Sequence, residues 1–143
     1  MSARRHHHRC ALLSGSLLGA IGVALGAFGA HGLRHLLTPD QLGVWHTAVE
    51  YQMWHAVALL ALGAGRVHVA RLPVALLTLG VLLFSGSLYL LTLTGIRALG
   101  IITPLGGLCM MAAWVALAYQ AWRSGSETPG RAPEGNDRSP PLV

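Results

Sequence analysis

One carboxylate stands out among the residues of this sequence that could do chemistry. Glu50 lies inside a long apolar stretch, four residues after His46 and four before Trp54, and Tyr51 precedes His55 by the same interval. Residues four apart lie on the same face of a helix. An acid in an apolar segment must be paired, hydrogen-bonded or protonated. The pattern is therefore typical of a structural carboxylate that ties helices together, or of a proton-handling or ligand site; the remaining alternative is an interfacial Glu50 with no special role.

The eight histidines of the chain raise the question of a metal or haem site. Haem held in a bundle needs two histidines facing each other at one depth, and the last two apolar stretches contain none. A zinc site built from His31, His46 and Glu50 is conceivable, but their spacing does not specify one. We therefore expect no metal and no cofactor.

Enzymes and nucleic-acid-binding proteins are disfavoured by motif and by charge pattern. The sequence has no Gly-x-Ser-x-Gly elbow, no HExxH, no P-loop and no pair of acids within its apolar region. Its net charge of +5 comes from arginines that punctuate apolar stretches instead of alternating with exposed aromatic residues. We expect a protein that is not an enzyme and does not bind nucleic acid.

The elements that position these residues are membrane helices. Of the 143 residues, 53% are apolar and 10% are charged, whereas a soluble domain carries about 25% charged residues. The apolar stretches predict transmembrane helices at about 10–33, 39–65, 72–94 and 99–122. Thr38-Pro39-Asp40-Gln41 is a helix-start signal for the second of these, which is long enough for Trp45 to serve as an interfacial anchor. Residues 1–9 form a basic tail, and we expect residues 124–143 to be disordered.

The arginines predict how these helices are oriented. Two arginines lie on one side of the predicted spans, Arg34 and Arg97, and the other eight lie on the opposite side. By the positive-inside rule both termini are cytoplasmic. The predicted fold is an all-α antiparallel bundle of four transmembrane helices in a bacterial inner membrane.

Glycines in the first span predict a packing face. Gly15, Gly19, Gly22, Gly26 and Gly29 alternate spacings of four and three, which places them on one seam where another helix could approach closely. We interpret the seam as packing within the monomer, and the alternatives are a homodimer contact or the wall of a ligand site. The fourth span carries a weaker strip of small residues at Gly106, Cys109, Ala113, Ala116 and Gln120.

Depth along the spans predicts a polar layer. At about 1.5 Å per residue from the cytoplasmic boundary, Glu50 lies ~24 Å up, Tyr89 ~27 Å and Thr103 ~30 Å, whereas His55 lies near the middle at ~16 Å. We expect a buried polar site in which Glu50 pairs with His31, His46, Tyr89, Arg34 or Arg97. The candidate site comprises His31, His46, Glu50, Tyr51, Gln52, His55, Ser85, Ser87, Tyr89 and Thr103.

Several motifs in register resemble a known family. They are Gly26-Ala27-Phe28-Gly29-Ala30-His31, Trp45 with Thr47, Glu50-Tyr51-Gln52 with His55, Leu83-Phe84-Ser85-Gly86-Ser87-Leu88-Tyr89 and Thr103-Pro104-Leu105-Gly106-Gly107. Together they resemble the YgdD-like family of small inner-membrane proteins, also called domain of unknown function 423 and related to transmembrane protein 256. The resemblance implies a four-span plasma-membrane protein without an established activity. The family's motif residues map onto most of the candidate site and Pro104.

Three functions compete at this point. The first is a small structural or accessory membrane component that contacts lipid and a second copy or a larger membrane protein. The second is an oligomeric transporter or proton-linked carrier that uses Glu50 and His31, with helices loosened at Phe84–Tyr89 and Thr103–Gly107. The third is an integral-membrane enzyme or redox protein.

Overall fold

The described part of the chain consists of helices joined by short connections. The computed structural model describes residues 2–65 and 70–125, and its side chains from residue 8 onward. Four α-helices, α1 (Ser2–His31), α2 (Pro39–Ala64), α3 (Arg71–Thr94) and α4 (Ile102–Gly125), follow one another, with a short 3₁₀ turn at Arg97–Ile101 before α4. The disordered tail predicted at 124–143 begins too early, because α4 continues to Gly125. Arg66 and the rest of that tail, from residue 126 onward, lie outside the described residues.

Local signals explain where the helices begin and end. Thr38 caps α2 because its hydroxyl accepts the Gln41 N–H at 3.3 Å, while the Gln41 side chain accepts the Thr38 N–H at 2.9 Å. Helix α3 ends at Gly95, whose φ of 70° requires the left-handed conformation that glycine adopts without strain. Pro104 lies in the first turn of α4, where its missing N–H costs little.

The helices are arranged as an open series. Close backbone contacts join α1 to α2, α2 to α3 and α3 to α4, with a smaller contact between α1 and α3. Helices α1 and α4 make no close backbone contact within the described residues. The arrangement therefore differs from a closed four-helix bundle, because the first and last helices form its two ends.

Three stretches of the described chain are long and apolar enough to cross a membrane. They are His8–His31, Arg71–Thr94 and Arg97–Ser124. Helix α2 falls below that level because it carries polar residues on two faces, with Gln52 and His55 on the buried face and Glu50 on the exposed one. The apolar core lies between the helices and centres on Leu59, Leu77 and Val81.

Helices α3 and α4 approach each other at a pair of glycines. A methyl group on Gly106 would overlap the backbone nitrogen of Phe84 and lie 2.8 Å from the Gly80 carbonyl oxygen. A methyl group on Gly80 would lie 3.0 Å from the Gly106 carbonyl oxygen and 2.6 Å from Met110 Cγ. The two backbones are therefore in direct contact here, as is common where membrane helices pack through small residues.

Candidate functional site

Gln52 is the central polar residue of the interior. It is 3% exposed, and its Nε2 donates a hydrogen bond of 2.7 Å to the Leu18 carbonyl oxygen on α1. Its Oε1 accepts a hydrogen bond of 3.0 Å from the Tyr89 hydroxyl on α3. One amide on α2 therefore bonds to both neighbouring helices.

Hydroxyl groups extend this connection across α3. Ser85 donates to the Ala48 carbonyl oxygen on α2 at 2.8 Å. Ser87 lies 2.8 Å from the Thr103 hydroxyl on α4 and donates to the Phe84 carbonyl oxygen at 2.9 Å. Because Ser87 uses its single proton within α3, Thr103 is the donor between the two helices. Helix α3 continues unbroken through this segment, so its serines do not loosen it as the carrier hypothesis expected.

His55 connects α2 to α4. Its Nδ1 lies 2.7 Å from the Tyr51 carbonyl oxygen, and its Nε2 lies 3.3 Å from Trp114 Nε1. A carbonyl only accepts and an indole N–H only donates. The two contacts are therefore satisfied together by the neutral imidazole that carries its proton on Nδ1.

This geometry predicts a single tautomer for His55. Nitrogen-15 NMR of histidine-labelled protein in micelles should show the Nδ1–H form for His55, assigned by its loss in His55→Gln. Trp114→Phe removes the only indole donor to Nε2 and should allow the Nε2–H form to appear. A predominant Nε2–H signal in the unmodified protein would contradict the assignment.

Trp45 belongs to the same interior and was not predicted to do so. It is 1% exposed, and its Nε1 donates to the Leu25 carbonyl oxygen on α1 at 3.0 Å. Its ring packs against Tyr89 at 4.6 Å and against Phe28 at 6.2 Å between centroids. The expected interfacial anchor is thus a buried residue that packs against α1 and α3. Its position seven residues before Gln52, two helical turns, is the signal that places both on one face.

The structure does not bring His31, His46 or Glu50 into this network. All three are exposed on the monomer, and Glu50 has no hydrogen bond or ion pair among the described residues. This differs from the expectation of a buried carboxylate. Glu50 lies two residues from both Ala48 and Gln52, and at 100° per residue it points nearly opposite to their buried face. Tyr51 lies at the edge, 43% exposed, with its ring 4.5 Å from that of Phe84.

The glycine seam of α1 faces α2 at every position. A methyl group would lie 2.9 Å from the Ala56 carbonyl oxygen at Gly15, 2.6 Å from Met53 Sδ at Gly22 and 2.6 Å from the Trp45 ring at Gly29. Gly19 and Gly26 have ordinary contacts, to Ala56 at 3.9 Å and Val49 at 3.4 Å. Gly63 on α2, which the sequence analysis did not identify, belongs to the same contact, because a methyl group there would lie 2.6 Å from Leu12 Cγ. The short separation between these helices lets Gln52 and Trp45 reach carbonyl groups of α1.

The chemistry available in the interior is that of neutral hydrogen bonding. Every buried side-chain nitrogen or oxygen of residues 8–65 and 70–125 has a partner. In that part of the chain, no group of three histidine, cysteine or acidic residues is placed to hold a metal ion. The arrangement ties neighbouring helices together through hydrogen bonds of uncharged side chains.

Comparison with known proteins places the chain among membrane proteins. The family described as "Protein of unknown function (DUF423)" matches residues 25–107. The UPF0382 membrane protein SH2409 of Staphylococcus haemolyticus is 44% identical over 115 residues, covering 78% of this chain and 94% of that protein. YwdK of Bacillus subtilis is 41% identical over 118 residues, with coverage of 77% and 94%. The UPF0382 inner membrane protein YgdD of Escherichia coli is 37% identical over 121 residues, with coverage of 80% and 91%. No solved structure matches. These matches confirm the resemblance seen in the sequence motifs.

Proposed function

Because this chain belongs to the DUF423 family of membrane proteins of unknown function, we propose that it is a small structural or accessory component of the bacterial inner membrane. Its role is to present a rigid helical surface to another protein in the bilayer, without catalysis. The location is inferred from the Escherichia coli relative YgdD, which is described as an inner membrane protein.

The proposed topology has four spans with both termini in the cytoplasm. Helix α2 has 26 residues, or about 39 Å at 1.5 Å per residue, which exceeds the ~30 Å hydrocarbon layer. Its polar residues are accommodated because the inward ones are hydrogen-bonded within the chain. The arginine distribution supports cytoplasmic termini.

The observation that carries the proposal is the separation of two kinds of polar group on α2. On the inner face, Gln52 and His55 bond to residues of the other three helices. On the outer face, Glu50 has no partner in the described monomer. A satisfied interior supports a structural role for the network. An exposed acid on the outer face of a spanning helix is costly in lipid unless it is protonated or reaches the interface, so it supports a protein partner on this face.

A second copy of this chain is the partner that the outer face of α2 fits. This face carries His46, Glu50, Trp54 and Val57, all exposed. In a two-fold dimer about the membrane normal, each α2 lies beside its counterpart, so each Glu50 lies at the height of the other chain's Glu50 and about 6 Å along the helix axis from its His46. Each chain therefore contributes an acid, Glu50, and a hydrogen-bonding base, His46, to the same interface.

Replacing Glu50 with glutamine tests this assignment. Glu50→Gln should change the free energy of unfolding of the monomer by less than about 0.5 kcal/mol, because the side chain is exposed. It should weaken dimerisation about tenfold, equivalent to roughly 1.4 kcal/mol. Dimerisation would be measured by energy transfer between labelled copies diluted in bilayers. Asp40→Asn makes the same charge change in the first turn of α2 and should leave the dimer intact.

Disulfide trapping in native membranes identifies the occupant of the face. In a background without Cys10 and Cys109, Val57→Cys should form a crosslinked dimer. Val115→Cys on α4, an equally apolar and exposed position, should not. A crosslink of Val57→Cys to a larger protein would mean that this protein, and not a second copy of the chain, covers the outer face of α2. An intact dimer in Glu50→Gln with loss of a proton-linked flux would favour the carrier and overturn the structural role.

A further inference from the structure

A groove runs between α1 and α3, along the first half of α3. Its volume is about 580 Å³, and it is lined by Cys10 and Ser14 on α1 and by α3 residues from Arg71 to Leu82. It exists because α1 and α3 both pack against α2 and have only a small contact with each other.

The length of the groove corresponds to one leaflet of a bilayer. Arg71 and Leu82 are eleven residues apart, or about 16 Å along the helix axis at 1.5 Å per residue. Half of the hydrocarbon layer is about 15 Å thick. A groove that begins at Arg71 on the membrane boundary therefore ends near the bilayer midplane, where an acyl chain ends.

The wall of the groove suits a hydrocarbon chain. Val74, Leu79 and Leu82 contribute apolar side chains. Thr78 also lines the groove, but its hydroxyl donates within α3 to the Val74 carbonyl oxygen at 2.9 Å. Its proton is thus used within the helix, and the methyl group remains for contact with a ligand.

The mouth of the groove suits an anion. Arg71 provides a planar guanidinium with five N–H donors, enough to bind phosphate while keeping another contact. Ala70, the N-cap residue of α3, has no polar side chain to cap the helix, and among the described residues its own N–H donates to the Gln120 side chain. The positive end of that helix dipole therefore adds to the arginine charge at the same point.

We propose that this groove binds one anionic phospholipid, with an acyl chain between α1 and α3 and the headgroup phosphate on Arg71. The assignment of the lipid to the cytoplasmic leaflet rests on the topology in the proposed function. The binding itself does not depend on the outer face of α2. Basic residues between spans on the cytoplasmic side are a known basis for headgroup binding.

Native mass spectrometry of the full chain in micelles tests the proposal, with palmitoyl-oleoyl phosphatidylglycerol and phosphatidylcholine as probes. The unmodified protein should bind one phosphatidylglycerol molecule in preference to phosphatidylcholine. Arg71→Gln should weaken binding of phosphatidylglycerol about fivefold, the effect of roughly 1 kcal/mol per basic residue, and remove the preference. Ala75→Phe should abolish binding of both lipids by filling the groove.

Matched variants separate the site from general effects. Arg123→Gln removes a charge near the same membrane boundary, and Ala112→Phe adds a ring on an exposed face of α4; both should bind lipid as the unmodified protein does. Glu50→Gln should also bind lipid normally, so failure of the proposed dimer is distinguishable from failure of the lipid site. Equal lipid binding by Ala75→Phe and the unmodified protein would overturn the proposal.

A labelling experiment on the unmodified protein avoids any question of folding. Cys10 lines the groove and is exposed, whereas Cys109 lies on α4 outside it. Phosphatidylglycerol should slow alkylation of Cys10 by N-ethylmaleimide and leave the rate at Cys109 unchanged. Equal rates at Cys10 with and without lipid, or displacement of the lipid by inorganic phosphate alone, would contradict an acyl chain in the groove.

Discussion

Gly106→Ala is expected to lower the free energy of unfolding by about 2–3 kcal/mol, in the range measured for overpacked interiors. The added methyl group overlaps the Phe84 nitrogen and lies 2.8 Å from both Phe84 Cα and the Gly80 carbonyl oxygen. These are backbone atoms, which cannot move aside as the end of a flexible side chain does. Helices α3 and α4 would have to separate, which would also lengthen the bond between Ser87 and Thr103.

The neighbouring glycine provides the control for this prediction. A methyl group on Gly107 would lie 3.9 Å from Phe84 Cδ2, an ordinary contact, and one on Gly86 would have open space around it. Gly107→Ala and Gly86→Ala should therefore be neutral or slightly stabilising, since alanine favours helix. Denaturation with sodium dodecyl sulfate, followed by circular dichroism, measures all three. Equal losses at Gly106 and Gly107 would mean that helix contact is not the cause.

The packing of α1 was predictable because its signal is repeated. Five glycines at alternating spacings of four and three define one seam along α1, and all five face α2. The contact between Gly80 and Gly106 was predictable on one side only, because Gly106 belongs to the weaker strip of small residues on the fourth span. Gly80 belongs to no predicted strip on α3, so only the register between α3 and α4 shows that the two meet.

The polar layer was predictable in height but not in direction. Depth arithmetic places Glu50, Gln52 and Tyr89 in one layer, yet it does not say which side chains point at one another. The inner face of α2 is defined by Trp45, Ala48, Gln52 and Leu59, which are buried at spacings of three, four and seven. That spacing distinguishes Glu50 from these four residues, since Glu50 falls on the opposite side of the helix.

The bond between His55 and Trp114 could be predicted neither from hydropathy nor from helix periodicity. It joins residues 59 positions apart on helices that make no close backbone contact. Only the length of the indole side chain brings the two groups together. Such a pair depends on the full arrangement of α2, α3 and α4, which neither hydropathy nor helix periodicity specifies.

Gln52→Leu is expected to lower the free energy of unfolding by about 2–3 kcal/mol. The substitution removes the bonds to the Leu18 carbonyl oxygen at 2.7 Å and to the Tyr89 hydroxyl at 3.0 Å. Hydrogen bonds between membrane helices contribute about 0.6 kcal/mol on average and up to about 1.7. The part-buried Tyr89 hydroxyl left without its acceptor adds about 1 kcal/mol. Leucine keeps nearly the same volume, so little of the expected loss comes from a cavity.

A double-mutant cycle with Tyr89→Phe separates the bond from the packing. The double variant should be more stable than the sum of the two single losses predicts, by about 1 kcal/mol, because Tyr89→Phe removes the hydroxyl that Gln52→Leu strands. Gln120→Leu serves as the comparison, since that amide accepts only the Ala70 N–H, at 3.3 Å, and its loss should cost less. Strict additivity of Gln52→Leu and Tyr89→Phe would show that the two groups do not interact. Gln52 would then bond α2 to α1 alone, and α3 would have to be positioned by Ser85 and by its glycine contact with α4.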